Sequence, residues 1–144
     1  MYQVRKMKLG DIEQVHSIEI STFPNPWSKD AFTKELTINK QSLYMVIEED
    51  NNILAYAGLW NIVGEGYITN IAVQKGRRGV GLGRKITEAL IEEGRKHGIK
   101  AFTLEVRISN KNAISLYKKL GFEISGVRKN FYEKPIEDAF IMWK

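Results

Sequence analysis

Apolar residues recur with two different periods along this chain, and each change of period marks a change of predicted element. Spacings of three to four residues are typical of helices with one buried face, and short apolar runs between turn residues are typical of strands. Pro24 and Pro26 end the first helical segment, because proline cannot continue a helix. The predicted elements are, in chain order, a strand over 2–7, helices over 11–21 and 28–38, strands over 41–48, 53–60 and 67–73, a helix over 81–97, a strand over 100–106, a helix over 110–120, and strands over 122–127 and 138–142.

Residues at the segment ends agree with these boundaries. Ser28 and Asn110 are suited to cap the N-termini of the helices that follow them. Gly98 and Gly121 are suited to end the two later helices. The turn residues 50–52 predict a hairpin between two strands.

The order of these elements predicts an α/β fold. We expect a mixed, mostly antiparallel central sheet flanked by helices, with a right-handed crossover around the helix over 81–97. The chain has 144 residues and neither a linker nor a repeat. It is therefore expected to form one domain over residues 1–144.

A basic, glycine-rich turn joins the strand over 67–73 to the long helix. Gly79, Gly81 and Gly83 are expected to adopt positive φ and to let the backbone approach a ligand closely. The first N–H groups of the helix have no intrahelical partner, and with the helix dipole they form an anion site. Further positive charge around the turn comes from Lys75, Arg77, Arg78, Arg84 and Lys85. The pattern predicts a cradle for a phosphorylated cofactor, with a ligand-free turn as the alternative.

Two common phosphate-binding motifs fit this turn less well. A P-loop ends in Gly-Lys-Ser/Thr, whereas Leu82 and Gly83 stand at that point here. A dinucleotide fingerprint needs a third glycine where this chain has arginine or isoleucine. The order Arg78-x-x-Gly81-x-Gly83, after a strand and before a helix, instead resembles the acetyl-CoA loop of the GCN5-related N-acetyltransferase (GNAT) family.

Other segments extend this resemblance over nearly the whole chain. The segment 110–122 reads Asn-x-x-Ala-x-x-Leu-Tyr-x-x-x-Gly-Phe and matches the second motif of the family. Leu-Glu-Val-Arg at 104–107, with 26–28, 70–73 and 130–132, is similar to the subgroup that acetylates the N-terminal alanine of a small-subunit ribosomal protein. In that family the central strand and the next one splay apart. The resemblance implies the GNAT fold with a splayed central strand pair, acetyl-CoA as co-substrate, and a protein N-terminus as partner.

The resemblance also implies which residues bind each substrate. Backbone groups of the central strand would pair with the pantetheine arm, and the glycine-rich turn would cradle the pyrophosphate. The implied cofactor-binding residues are Ile71, Ala72, Val73, Arg78, Gly79, Val80, Gly81, Leu82, Gly83, Arg84, Asn110 and Tyr117. The implied acceptor-binding residues are Trp27, Asn70 and Tyr132. Two features differ from the residues usual in the family: the sequence Phe-Pro-Asn-Pro-Trp at 23–27, and Phe131. Both lie in segments with which the family binds its peptide.

Acetyl transfer to an amine needs a base for the amine, a donor for the developing oxyanion and a proton for the leaving thiolate. Glu105 is the candidate base, since its strand neighbours are mostly apolar and are expected to raise its pKa. The alternative is a solvated glutamate or one paired with Arg107. Tyr117 is the candidate acid, because a phenol with a pKa of about 10 can protonate a thiolate. The alternative is a core tyrosine.

The acceptor class follows in part from amine chemistry. At pH 7 an α-amine is neutral more often than a lysine amine by roughly two orders of magnitude. This difference favours N-terminal acetylation. A lysine or small-molecule amine acetyltransferase, or a non-catalytic acyl-CoA-binding module, remain alternatives.

Composition excludes several other classes. The chain has no cysteine, which excludes disulfides, thiolate metal sites and a cysteine nucleophile. The net charge is +5, but it is densest at the glycine-rich turn, which favours a small polyanion over nucleic acid. No apolar run approaches the ~18 residues of a membrane span, and the N-terminus lacks the apolar core of a signal peptide. We expect a cytoplasmic protein with no bound metal and no membrane partner; nothing in the sequence indicates the oligomeric state.

Overall fold

One sheet of seven strands runs through the computed structural model, which describes residues 1–144, and helices pack on both faces of this sheet. The elements are β1 (Gln3–Lys6), a short 3-10 turn (Leu9–Asp11), α1 (Ile12–Thr22), α2 (Lys29–Thr37), β2 (Ser42–Glu49), β3 (Asn52–Ile62), β4 (Glu65–Val73), α3 (Leu82–Lys96), β5 (Ala101–Arg107), α4 (Lys111–Lys119), β6 (Glu123–Tyr132) and β7 (Glu137–Trp143). The spatial order is β1-β2-β3-β4-β5-β7-β6. Only β4 and β5 are parallel, so the predicted mixed, mostly antiparallel sheet is confirmed.

The parallel pair β4 and β5 is joined for only a short distance. Its register runs from Glu65 opposite Ala101 to Tyr67 opposite Thr103. Beyond that point β4 continues to Val73 and β5 to Arg107, unpaired with each other. The predicted splay of the central strands is therefore confirmed, and it opens a gap in the middle of the sheet.

Two apolar cores hold the helices against the sheet. On one face α3 packs on β2, β3 and β4, and side chains of β5 and α4 join the same core, in which Ile86, Leu90 and Phe102 are fully buried. On the other face α1 and α2 pack on the first strands, around Val15 and Phe32. The two helix pairs therefore cover opposite faces of the sheet.

The last hairpin differs from the sequence prediction. The predicted strand ended at Val127, whereas β6 continues to Tyr132 and pairs with β7 through Tyr132 and Glu137. Residues 128–132, which are mostly polar, lie outside the predicted strand. They are nonetheless part of a strand, since β6 is a largely exposed edge strand whose pairing with β7 does not depend on burial.

Both predicted N-caps are confirmed. The Ser28 hydroxyl accepts a hydrogen bond from the backbone N–H of Ala31 at 3.1 Å, and the Asn110 side chain accepts one from Ala113 at 3.2 Å. Gly98 and Gly121 have φ of 85° and 98°, as expected for residues that end helices.

Removal of the Ser28 cap gives a first testable prediction. Ser28→Ala is expected to lower the free energy of unfolding by about 1 kcal/mol, because one N–H of α2 loses its partner. Urea denaturation followed by circular dichroism measures this change. Ser28→Asp retains a capping oxygen and serves as the control. Equal stability of Ser28→Ala and the wild type would show that the cap contributes nothing.

Candidate active site and cofactor cradle

The gap between β4 and β5 exposes backbone groups of the second half of β4. The N–H of Gln74 donates to the carbonyl of Leu54 on β3 at 2.7 Å. The backbone N–H and C=O groups of alternate residues in a strand point to opposite sides. Those of Ala72, two residues before Gln74, therefore point towards β3, and those of Ile71 and Val73 point into the gap. Ile71 and Val73 are the two β4 residues expected to pair with the pantetheine arm. The backbone groups of Ile71 and the N–H of Val73 are free for it, whereas the Val73 carbonyl accepts from Arg78 and Ala72 bonds towards β3.

Glu105 lies at the edge of the same gap. Alternation along β5 puts Leu104 and Val106 into the core and turns Glu105 to the opposite face, where its side chain is 7% exposed. One carboxylate oxygen, Oε1, accepts a hydrogen bond from the Tyr67 hydroxyl. The other, Oε2, accepts one from Arg128 Nε at 3.1 Å.

Two parts of the sequence-based interpretation of Glu105 need correction. The surroundings of its carboxylate are polar as well as apolar, because β4 and β6 bring a phenol and a guanidinium to it. Its ion-pair partner is Arg128 and not Arg107. Arg107 instead pairs with Glu137 at 3.1 Å and lies 4.4 Å above the ring of Tyr132.

Arg107 holds the turn between β6 and β7 in place. Its guanidinium donates to the carbonyls of Glu133 and Pro135, each at 3.0 Å, in addition to the Glu137 carboxylate. The stacking on Tyr132 then orients that ring. Tyr132 was predicted to contact the acceptor, and the turn that carries it is tied directly to the end of β5.

Tyr132 lies near both predicted catalytic residues. Burial, followed by the charge of Glu105, raises the pKa of Tyr132 to about 12. Burial, followed by the proximity of Tyr132, raises the pKa of Tyr117 above its ordinary value. The Tyr117 hydroxyl has no hydrogen-bond partner in the protein, yet it is not sealed from solvent. Tyr132 is thus close enough to Glu105 on one side and to Tyr117 on the other for their charges to interact.

A row of aromatic rings leads from the loop before α2 to Glu105. Trp27 stacks on Trp60 with centroids 6.5 Å apart, and Trp60 lies 6.1 Å from Tyr67. Glu35 fixes the indole of Trp60 by accepting from its Nε1 at 2.9 Å. Trp27 was predicted from the sequence, whereas Trp60, Tyr67 and Arg128 were not. No motif contains these three residues, and only the register of the sheet brings them together.

Asn70 lies in a buried network beside the Trp27 loop. It is 5% exposed, accepts from the Tyr44 hydroxyl at 3.1 Å and donates to Glu19 at 3.3 Å. Glu19 also accepts from Tyr56 and from the backbone N–H of Trp27 at 2.9 Å. The side chain of Asn70 therefore attaches the Trp27 loop to β4, and its contact with the acceptor stays a prediction.

The glycine-rich turn combines left-handed backbone with free N–H groups. Gly79 and Gly81 have φ of 82° and 87°, as predicted. The prediction for Gly83 was wrong: it lies inside α3, where an added Cβ would approach Leu116 at 3.4 Å, so its size serves helix packing. The sequence analysis missed Gly76, which has φ of 93°.

The start of α3 has the character of an anion site. Gly81 is the N-cap, and the first intrahelical bond runs from Lys85 N–H to the Gly81 carbonyl. The N–H groups of residues 82–84 therefore have no helical partner, and no acidic side chain stands in the first turn. A Cβ added at Gly79 or Gly81 would meet no atom within 4 Å, so the turn is open on its outer side. Val80 is exposed there as well.

Arg78 has protein partners of its own. Its Nε donates to the carbonyl of Val73 and its Nη2 to the hydroxyl of Thr22, each at 3.1 Å. It thus ties the turn to the ends of β4 and α1, and it occupies the Val73 carbonyl that faces the gap. Arg84 is half-exposed beside the turn and pairs with Glu88 at 3.4 Å.

Comparison with known proteins decides the family. The sequence pattern described as Acetyltransferase (GNAT) family matches residues 12–122. The chain belongs to this acetyltransferase family. A Bacillus subtilis (strain 168) protein provisionally named [ribosomal protein bS18]-alanine N-acetyltransferase is 43% identical over 140 residues, 97% of this chain and 93% of that protein. The Escherichia coli (strain K12) [ribosomal protein bS18]-alanine N-acetyltransferase is 33% identical, over 99% of this chain and 96% of that protein.

A solved structure supports the same conclusion for the fold. The crystal structure of the ribosomal-protein-S18-alanine N-acetyltransferase from Escherichia coli superimposes with a TM-score of 0.90 at 32% identity, covering 99% of this chain and 92% of that chain. The predicted GNAT fold and acetyltransferase class are therefore confirmed. GNAT enzymes use acetyl-CoA, and the open glycine turn with its unpartnered N–H groups fits the pyrophosphate of that co-substrate.

The structure of this GNAT enzyme shows neither a cluster of metal-ligating side chains nor a helix suited to a membrane. No three side chains of the histidine, cysteine, aspartate or glutamate type come together as a metal site would require. None of the helices has the length and apolar character needed to cross a membrane.

The cradle gives a second testable prediction. Gly81→Ala is expected to weaken CoA binding about tenfold, because a Cβ is disfavoured at φ of 87° and the N–H groups of α3 would be displaced. Isothermal titration calorimetry with CoA measures the change. Gly10→Ala is a matched control, since an added Cβ there meets no atom within 4 Å and its φ is not positive. Equal CoA affinity of Gly81→Ala and the wild type would contradict the cradle.

Proposed function

We propose that this enzyme transfers the acetyl group of acetyl-CoA to the N-terminal α-amine of a protein that begins with alanine. We further propose that this protein is a small-subunit ribosomal protein, met in the cytoplasm where it is made. The names of the Bacillus and Escherichia coli relatives support this acceptor, because both similarities extend over nearly the full length of each chain. No nucleic acid and no metal take part in the proposed reaction.

The observation that carries the proposal is the position of Glu105. A nearly buried carboxylate stands where two parallel strands part, beside free backbone groups of β4 and within reach of Tyr132. A co-substrate arm that enters the gap from one side and an amine that approaches from the other would meet at this point. A purely structural glutamate would not need a place at the opening in the sheet.

Each step of the reaction then has a named group. Bound acetyl-CoA supplies the acetyl group as a thioester and releases a thiolate. Glu105 takes the proton that the amine loses as the new C–N bond forms, either directly or through one water. A backbone N–H of Ile71 or Val73 stabilises the developing oxyanion. Tyr117 donates its phenolic proton as the C–S bond breaks.

Amine chemistry supports an α-amine acceptor. An α-amine with a pKa of about 8 is about one-tenth neutral at pH 7, whereas a lysine amine with a pKa of about 10.4 is neutral to a few parts in ten thousand. One carboxylate base therefore serves an N-terminus far better than a lysine. The acceptor groove would run from the aromatic row of Trp27 and Trp60 to the hairpin at Tyr132.

The test uses one peptide that offers both kinds of amine. A peptide that begins Ala-Arg and contains an internal lysine is incubated with acetyl-CoA, and the label is located by tandem mass spectrometry. The proposal predicts label on the α-amine alone. The same peptide with a blocked α-amine is the control and should stay unlabelled. Label on lysine would contradict the proposal in favour of a lysine acetyltransferase. Absence of label with CoA still bound would favour another acceptor or a binding module.

A further inference from the structure

Glu105 has two hydrogen-bond donors, one on each carboxylate oxygen: Tyr67 is half-buried and Arg128 is exposed. We propose that Tyr67 is a positioning residue that fixes Oε1, so that Oε2 is the oxygen that meets the acceptor amine in exchange for Arg128. This inference rests on the proposed function, in which Glu105 is the base. It assigns roles to Tyr67 and Arg128, which no motif identifies, and it predicts that Arg128 leaves Glu105 before the acceptor amine binds there.

Tyr67 is the fixed donor. It is the last β4 residue that pairs with β5, opposite Thr103, so its backbone is held on both sides at the point of divergence. Its ring packs against Trp60, whose indole is itself held by Glu35 and stacked on Trp27. A phenol on such a support cannot swing away from Glu105 without disturbing the whole aromatic row.

Arg128 is the exchangeable donor. Its side chain is 54% exposed, whereas that of Glu105 is 7% exposed, so the guanidinium covers the carboxylate from the solvent side. It stands on the edge strand β6, just before a register irregularity, and has no other ion pair or hydrogen bond from its side chain. A half-exposed ion pair of this kind is weak, and the arginine can rotate into water when it breaks.

The arrangement gives the acceptor a defined path. An incoming ammonium group carries the same charge as the guanidinium and can replace it at Oε2 without leaving the carboxylate unpaired. Tyr67 keeps the carboxylate plane constant during this exchange. Once the ammonium group has lost one proton to solvent, the neutral amine nitrogen lies beside the opening between β4 and β5, and Oε2 remains free to take the second proton as the C–N bond forms.

The first test removes only the Tyr67 hydroxyl. Tyr67→Phe is expected to lower kcat about 10- to 100-fold for the Ala-Arg peptide while KM stays within about twofold, because the base is no longer oriented. Tyr2→Phe, at an exposed tyrosine without a side-chain hydrogen bond, is the control. An unchanged kcat would overturn the proposal.

A second test does not depend on activity. The ¹³Cζ resonance of Tyr67, assigned by its absence in Tyr67→Phe, reports on the hydrogen bond of the phenol. Glu105→Gln is expected to shift this resonance and Glu123→Gln, on exposed β6, to leave it unchanged. No shift in Glu105→Gln would overturn the contact. If the peptide is never acetylated but the shift is seen, the proposed function fails while the contact stands.

The third test examines the exchange. Arg128→Met keeps the apolar stem and removes the charge, and it is expected to lower KM for the peptide about two- to fivefold, because the acceptor no longer displaces a cation. The value of kcat should stay within about threefold, since Tyr67 still orients Glu105. Lys129→Met, on the same strand, is the matched control. A raised KM in Arg128→Met would overturn the exchange and make the arginine part of acceptor binding.

Discussion

Glu105→Gln is expected to lower kcat/KM for the Ala-Arg peptide by about 10²-fold or more while the affinity for CoA stays unchanged. Glutamine keeps the shape of the side chain and can still accept from Tyr67, so the fold and the gap between the strands are retained. What is lost is the negative charge that receives the proton. Steady-state kinetics and calorimetry with CoA on the same preparation separate the two effects.

The control for this experiment is another glutamate of the same sheet. Glu123 begins the exposed strand β6 and makes no ion pair, so Glu123→Gln should leave kcat/KM unchanged. If Glu105→Gln acetylates as fast as the wild type, the carboxylate is a structural anchor for Arg128 and Tyr67, and another base must be sought.

Tyr117→Phe is expected to lower kcat by about 10²-fold, again with CoA still bound. Burial raises the pKa of Tyr117, so the hydroxyl stays protonated across the neutral range and is available as an acid. Because it has no partner in the protein, its removal leaves no buried polar group unsatisfied. Stopped-time assays of peptide acetylation measure kcat directly.

Thermal unfolding supplies the control for Tyr117→Phe. The ring of Tyr117 packs edge-on against Phe122 at 5.9 Å, and phenylalanine preserves this contact. The melting temperature should therefore stay close to that of the wild type. Full activity in Tyr117→Phe would leave this residue with a packing role only and would require another proton donor for the thiolate.

Local signals in the sequence predicted most of the fold. Ser28 and Asn110 cap their helices through residues only three positions ahead, and Gly98 ends α3 within one turn. Such interactions depend only on a few neighbouring residues, so they can be predicted from the local sequence. The positive φ of Gly79 and Gly81 was predicted from local sequence in the same way.

The contacts that the sequence did not predict join distant segments. Tyr67 and Arg128 reach Glu105 across separations of 38 and 23 residues, which only the register of β4 and β6 defines. A β-bulge between Gly58 and Leu59 interrupts the pairing of β3 with β4 just before Asn70, which enters a buried network. A pattern along one strand does not contain this information.

The central claim is that the acceptor amine and the thioester meet at Glu105, where β4 and β5 part. The most direct test is a crystal structure with a conjugate in which the α-nitrogen of an Ala-Arg peptide is joined through an acetyl bridge to the sulfur of CoA. The account predicts that the nitrogen lies within hydrogen-bond distance of Glu105 Oε2, or one water away, with the sulfur beside the Tyr117 hydroxyl and Arg128 displaced. A nitrogen bound elsewhere, with Arg128 still on Glu105, would contradict it.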